Sequence, residues 1–220
     1  HGGFSSVNMA AAGNYTMGGA FWEFGQPDWE RTKLFMLFGV AEDHDSNPIK
    51  MGLGRLKERG AKVIGVNPIR TGYNAVADEW VGITPGTDGL FILSLVHCLL
   101  KAGKIDLHYL AQYTNAPALI DPETGLLKRD DDDKKHVADR ANGGKLTPFD
   151  QEGVQPDLSR PDSVMAKIAE RYLSEDYAPE AVAGRTGIPA DRIRKIAAEL
   201  ARTAFDEAIE LDQPWTDFRG

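Results

Sequence analysis

Residues 32–88 read TKLFMLFGVAEDHDSNPIKMGLGRLKERGAKVIGVNPIRTGYNAVADEWVGITPGTD, and this stretch decides the fold. Leu34–Phe38 and Lys62–Val66 are short apolar runs bounded by Gly and Pro, the pattern of buried strands. Between them, Ile49–Arg59 sets Ile49, Leu53 and Leu56 near three-to-four spacing, with Gly60 as a C-terminal stop. Strand, helix, strand makes one βαβ unit, whose crossover is almost always right-handed. A third apolar segment, Trp80–Ile83, precedes a second helix over Gly89–Ala102, so the alternation continues.

In an open parallel sheet, ligands sit outside the carboxyl ends of the strands. Here those ends carry Gly39 to Ser46, Asn67 to Gly72, and Pro85 to Asp88, three polar loops that converge on one edge. Asp43, Asp45 and Asp88 offer carboxylates, while Asn67, Arg70, Thr71 and Thr87 offer donors. Gly86 lets a ligand approach the backbone. A carboxylate can accept from guanine N1–H and its exocyclic amine, and Arg70 can pair with a phosphate, so the set suits a nucleotide. The plainer reading is a group of ordinary βα loops, with Asp45 or Ser46 capping one helix and Thr87 or Asp88 the next.

Three pieces then carry a more specific resemblance: FGVAEDHDSNP, VNPIRTGYNAVADEW and ITPGTDG. Together they resemble the middle domain of the molybdopterin oxidoreductases of the dimethyl sulfoxide reductase family. The likeness runs from HGGFSSVNMAAAG to YAPEAVAGRTGIPADRIRKIAAELA and is thinnest over residues 116–161. It implies a three-layer α/β fold with a mainly parallel, Rossmann-like sheet. It also implies that the loops hold the guanosine and phosphates of a molybdopterin guanine dinucleotide, through Gly39, Asp43, Asn67, Arg70, Thr71, Gly86, Thr87 and Asp88. By position, Ser5 matches the residue that ligates molybdenum in that family, with Ser6 beside it and His1 flanking. Family members often have Gly-x-Asn-Pro straight after the first strand, whereas here Gly39 is followed by VAEDHDSNP. Which side chain takes over that asparagine's contacts is left open.

Composition narrows the alternatives. A chain of 220 residues with 42% hydrophobic and 26% charged residues suits a globular fold with a real core. A net charge of -8 argues against binding a phosphate backbone. The single cysteine, Cys98, leaves no internal iron–sulfur ligand set. It lies in the apolar run LFILSLVHCLLKAG, where a buried, inert thiol and a satisfied core histidine at His97 are expected. That run falls short of the roughly 20 residues a membrane span needs. No signal peptide is visible; localisation stays open, with the cytoplasm as the expectation.

The flanks read as attachments. Ser6–Ala12 suits a short helix, and Phe21, Trp22 and Phe24 suit core or an interdomain face. Ile105–Tyr113 suits another helix, and Leu119–Leu127 a hairpin around Pro122–Gly125. Residues 128–163 are charged and turn-rich, a surface excursion whose Asp130–Asp133 run is a solvated face and not a calcium loop. Residues 164–203 form a helical flank: Val164, Ile168 and Tyr172 share one face, and two helices follow across a Gly-containing turn.

The expectation is a single α/β domain over residues 1–220, part of a longer catalytic subunit that moves two electrons at molybdenum. An iron–sulfur cluster is expected only in a region ahead of His1. Expected partners are the remaining domains of the same polypeptide and an iron–sulfur electron-transfer subunit, with no nucleic acid and no membrane insertion. Alone, the chain is expected to bind little cofactor and turn nothing over. Two alternatives stay open: another nucleotide-binding α/β domain, or a helix–turn–helix module using Arg185, Arg192, Arg194 and Lys195.

Overall fold

Alternation within the strands builds the layers. The computed structural model describes residues 3, 6–17, 27–40, 48–132, 134–149, 151, 153–212, 214 and 216. Strands β1 (Leu34–Phe38), β2 (Lys62–Val66) and β3 (Glu79–Val81) form a parallel sheet in the order β1-β2-β3. Leu34, Met36, Phe38, Ile64 and Val66 turn to one face, while Phe35, Leu37 and Val63 turn to the other. Such period-two segregation, apolar on both sides, is what a sheet covered by helices on each face requires.

One face packs on α2 (Pro48–Glu58) and the short α3 (Tyr73–Val76). Leu53 and Leu56 of α2 and Tyr73 of α3 close over Leu37 and Val63, and Trp29 and Phe35 pack their rings 5.2 Å apart at the margin. The other face packs on α4 (Asp88–Lys101), α7 (Pro179–Thr186) and α8 (Ala190–Phe205). Phe91, Leu95, Val182, Ile193 and Ile196 fill that side. The result is three layers, αβα.

The expected elements return with shifted ends. α2 stops at Gly60, which adopts φ 76 and donates to the Lys57 carbonyl at 3.0 Å. β3 begins one residue earlier than expected, because Glu79 pairs with Ile64, and it stops before Gly82. Helix α1 runs Ser6–Met17, well past Ala12, and nearly all of it is exposed. α5 spans Leu107–Tyr113, capped by Asp106, whose side chain accepts from the Tyr109 amide. Ile120 and Leu127 form an antiparallel bridge around a turn in which Asp121 Oδ1 accepts from the Glu123 and Thr124 amides.

The charged stretch after residue 128 is more structured than its composition suggests. β4 (His136–Asp139) and β5 (Lys145–Pro148) form an antiparallel hairpin with Val137, Ala138, Asp139 and Thr147 buried. Asp139 is satisfied there, its Oδ1 accepting from the Ala141 and Gln155 amides. α6 (Val164–Tyr172) follows, with Ser163 as its N-cap.

His97 is buried and its Nδ1 lies 2.8 Å from the Tyr172 carbonyl, so it is a satisfied core residue as expected. Cys98 is only half-buried. It lines a groove of about 460 Å³ with Ala102, Ala197 and Ala201. Among the described residues, no helix is long and apolar enough to cross a membrane.

Candidate functional site

The strand register fixes where the candidate loops begin. Phe38, Val66 and Val81 lie abreast at the carboxyl ends of their strands. The ladder continues one step further: the Gly39 amide donates to the Val66 carbonyl at 3.0 Å, and the Asn67 amide to the Val81 carbonyl at 3.1 Å. Gly39, Asn67 and Gly82 therefore start three loops from a single edge of the sheet.

Each loop holds its shape by bonds that leave certain side chains unused. After β1, Gly39 adopts φ 68, and a Cβ there would meet nothing within 4 Å. After β2, Asn67 is buried; its Oδ1 accepts from the Ile69 amide at 3.2 Å and its carbonyl accepts from Trp80 Nε1 at 3.0 Å. The Asn67 side chain thus shapes the turn from within. Arg70 and Thr71 are carried outward to solvent, and among the described residues Arg70 has no ion-pair or hydrogen-bond partner.

After β3, Gly86 adopts φ 80, again with open space where a Cβ would lie. Thr87 occupies the N-cap position of α4 but does not cap it, since its Oγ1 donates back to the Thr84 carbonyl at 2.7 Å. Asp88 opens the helix without capping it either. Its carboxylate sits where the helix dipole favours negative charge, half-exposed at the start of α4.

Of the candidates, Gly39, Asn67, Arg70, Thr71, Gly86, Thr87 and Asp88 belong to loops leaving this edge. Asp43 and Ser5 lie outside the described residues, as do His1, Asp45, Ser46, Phe21, Trp22, Phe24 and Asp133. Among the described residues, no cluster of three or more His, Cys, Asp or Glu side chains is placed to hold a metal ion.

Supporting residues that the sequence reading passed over are now visible. Asn74, fully buried on α3, donates from Nδ2 to the Val40 carbonyl at 3.1 Å and so ties the second loop to the first. The Thr84 amide donates to the Thr186 carbonyl at 2.8 Å, which ties the third loop to α7. A signal for Asn74 existed: a lone amide inside GYNAVA, opposite a glycine in an otherwise branched strand.

The opposite edge of the sheet is charged and closed. Lys62 bridges Glu79 at 3.0 Å and also contacts Glu199, while Arg192 Nε donates to Glu79 at 3.1 Å. Burial opposes ionisation of Glu79, but hydrogen bonds and charge from Lys62 and Arg192 outweigh it and hold the carboxyl below its usual range. A further cavity of about 650 Å³, between α5 and the β4–β5 hairpin, is lined by His108, Arg140, Asp157 and Ser159 and shares no residue with the three loops.

Comparison with known proteins decides the family. A sulfite dehydrogenase subunit of Allochromatium vinosum is 46% identical over 99% of this chain. The chain belongs to the molybdopterin oxidoreductase family. Dimethyl sulfoxide reductase DmsA of Haemophilus influenzae is 29% identical over 92% of the chain. This molybdopterin oxidoreductase chain spans 24% and 22% of the length of those two relatives. No protein-family model matches it. Among solved structures, acetylene hydratase from Pelobacter acetylenicus superposes with a TM-score of 0.54 over 91% of the chain and 20% of its own, at 18% identity, a likeness of fold alone.

Proposed function

We propose that this chain anchors the guanosine and phosphate arm of a molybdopterin guanine dinucleotide within a molybdenum-dependent oxidoreductase. The observation that carries the reading is the common origin of the three loops at one sheet edge, with Arg70 unpaired among the described residues. Arg70 and Thr71 suit the phosphates and ribose. Asp88 suits the guanine edge, as an acceptor for two N–H groups. Gly39 and Gly86 leave space where a ligand can come against the backbone. Asn67 holds the second loop in shape, and by sequence position Asp43 joins the base-contacting set and Ser5 is the candidate metal ligand.

The donor set fits the group. When bound, the molybdopterin supplies the redox centre for two-electron exchange. The residues of this chain bind, orient and shield its nucleotide arm. An iron–sulfur protein is the proposed electron partner, a reading supported by the Allochromatium relative, whose name makes it one component of a multi-subunit sulfite dehydrogenase. The same relative makes sulfite the first substrate to assay.

The reading of α7 and α8 as a DNA-binding pair loses ground. Arg192 is held by Glu79 and Arg194 is paired with Glu180, so two of the four cations needed for phosphate contacts are engaged.

The test uses the complete protein purified from its native host, analysed for molybdenum and for the nucleotide released by acid. Guanosine monophosphate released together with molybdenum is the expected result. Adenine or cytosine nucleotide, or a freely exchanging simple nucleotide without metal, would overturn the assignment.

A further inference from the structure

Asn74 is a costly residue for its place. It is fully buried, and its Oδ1 finds no donor. An unsatisfied buried acceptor opposes folding, and an apolar side chain of equal size would avoid it. Turning the amide over would not help, because the oxygen would then face the Val40 carbonyl that Nδ2 now binds at 3.1 Å. What the asparagine provides and a leucine would not is that single bond across to the chain leaving β1.

The surroundings are shaped for it. Gly65 lies opposite on β2, and a Cβ there would stand 2.3 Å from Asn74 Oδ1 and 3.2 Å from its Cα. Gly65 thus clears the space into which Asn74 fits, and α3 starts one residue earlier at Tyr73, straight after Gly72 turns the chain with φ 53. The bond joins Val40, next to Gly39 of the first loop, to the element that ends the second loop carrying Arg70 and Thr71.

We infer that Asn74 is a positioning residue for the nucleotide site: it sets the spacing between the Gly39 and Arg70 loops without touching the ligand. This rests on the reading of the three loops as a nucleotide site.

The experiment compares variants of the complete protein by two readouts, guanosine monophosphate released by acid per polypeptide and thermal unfolding of the cofactor-free form. Asn74→Leu is expected to leave Tm unchanged or raised while nucleotide retained after dialysis falls roughly tenfold. Asn74→Asp keeps the shape but loses the donor, and is expected to lose nucleotide likewise; it serves if the leucine variant misfolds. Gly65→Ala displaces Asn74 from the strand side, and combining it with Asn74→Leu is expected to cost no more retention than either alone. Leu53→Ala, in the same apolar cluster, is expected to lower Tm with retention preserved in the folded fraction. Full retention in both Asn74 variants, or retention that tracks Tm across all four, would overturn the inference. Wild-type protein holding no guanine nucleotide would instead overturn the site reading beneath it.

Discussion

The backbone amide of Thr84 donates to the carbonyl of Thr186 at 2.8 Å, so the loop after β3 rests on the end of α7. The helical pair that read as a nucleic-acid motif is, on this contact, a buttress for a strand-end loop. α7 ends at Gly187 in the left-handed conformation, φ 74, and the space above that glycine is occupied by Thr84 Oγ1.

Gly187→Ala should therefore be costly twice over. The new Cβ meets Thr84 Oγ1 at 3.2 Å, and the left-handed conformation alone adds about 1–2 kcal/mol for a non-glycine residue. Urea unfolding should show a lower midpoint at unchanged slope, and a wild-type midpoint would count against the buttress.

Arg70→Ala should separate binding from stability. With no partner among the described residues, the side chain supports nothing in the fold, and an exposed substitution stays within about 0.5 kcal/mol. A lost charge-assisted bond to phosphate is worth about 1.5–3 kcal/mol, or roughly tenfold or more in nucleotide retention. Equilibrium dialysis with quantified guanosine monophosphate, read beside the melting curve, checks both halves.

Asp88→Asn should alter selectivity more than stability. Neither Asp88 nor Thr87 caps α4 through its side chain, so removing the charge forfeits only its interaction with the helix dipole, about 0.3–1 kcal/mol. If the carboxylate reads guanine, the variant should lose guanine content when the released base is quantified.

The charged edge should give stability an acid limb and an alkaline limb. Glu79 is held below its usual range in the folded chain, so its contribution is present above the unfolded value of about 4.3 and fades as pH falls through the folded one. For Lys62, burial works against the charge, but Glu199 and Glu79 outweigh it and raise its pKa. Its contribution is complete below about pH 10.4 and is lost as pH rises past that. Glu79→Gln should flatten the acid limb, and denaturant midpoints from about pH 3 to 6 would show whether it does.

Cys98 should label slowly. Burial pushes its thiol up, and the nearby positive charges of Arg194 and Lys101 only partly offset this. The thiolate is the reactive form, so alkylation by iodoacetamide at about pH 7.5 should lag behind that of a free cysteine and catch up in denaturant.

Much of the fold was legible because two periods stood side by side. Leu34 to Phe38 and Lys62 to Val66 showed unbroken apolar runs, and Leu53 and Leu56 showed helical spacing, and these became the layers. The edge at which the loops gather followed from parallel pairing alone. Less legible was the role of each polar residue within a loop. Asn67 looked like a donor to a ligand and instead accepts from its own turn at Ile69. Thr87 looked like a cap and instead bonds backward to Thr84. Asn74, Thr84 and Thr186 were passed over because what they do depends on partners 34 to 102 residues away, and no local window contains such a pairing. The hairpin after residue 128 was hidden by its charges, which face outward while Val137 and Ala138 turn in.

Lys62 and Val66 stand at opposite ends of one five-residue strand, yet they serve unlike purposes. Around the first, acids and bases lock the long last helix in place; beyond the second, side chains are left to meet something else. Hardening such a protein against heat or acid is thus an engineering task for the Lys62 end, where substitutions can be tried with little danger to whatever is gripped at the other.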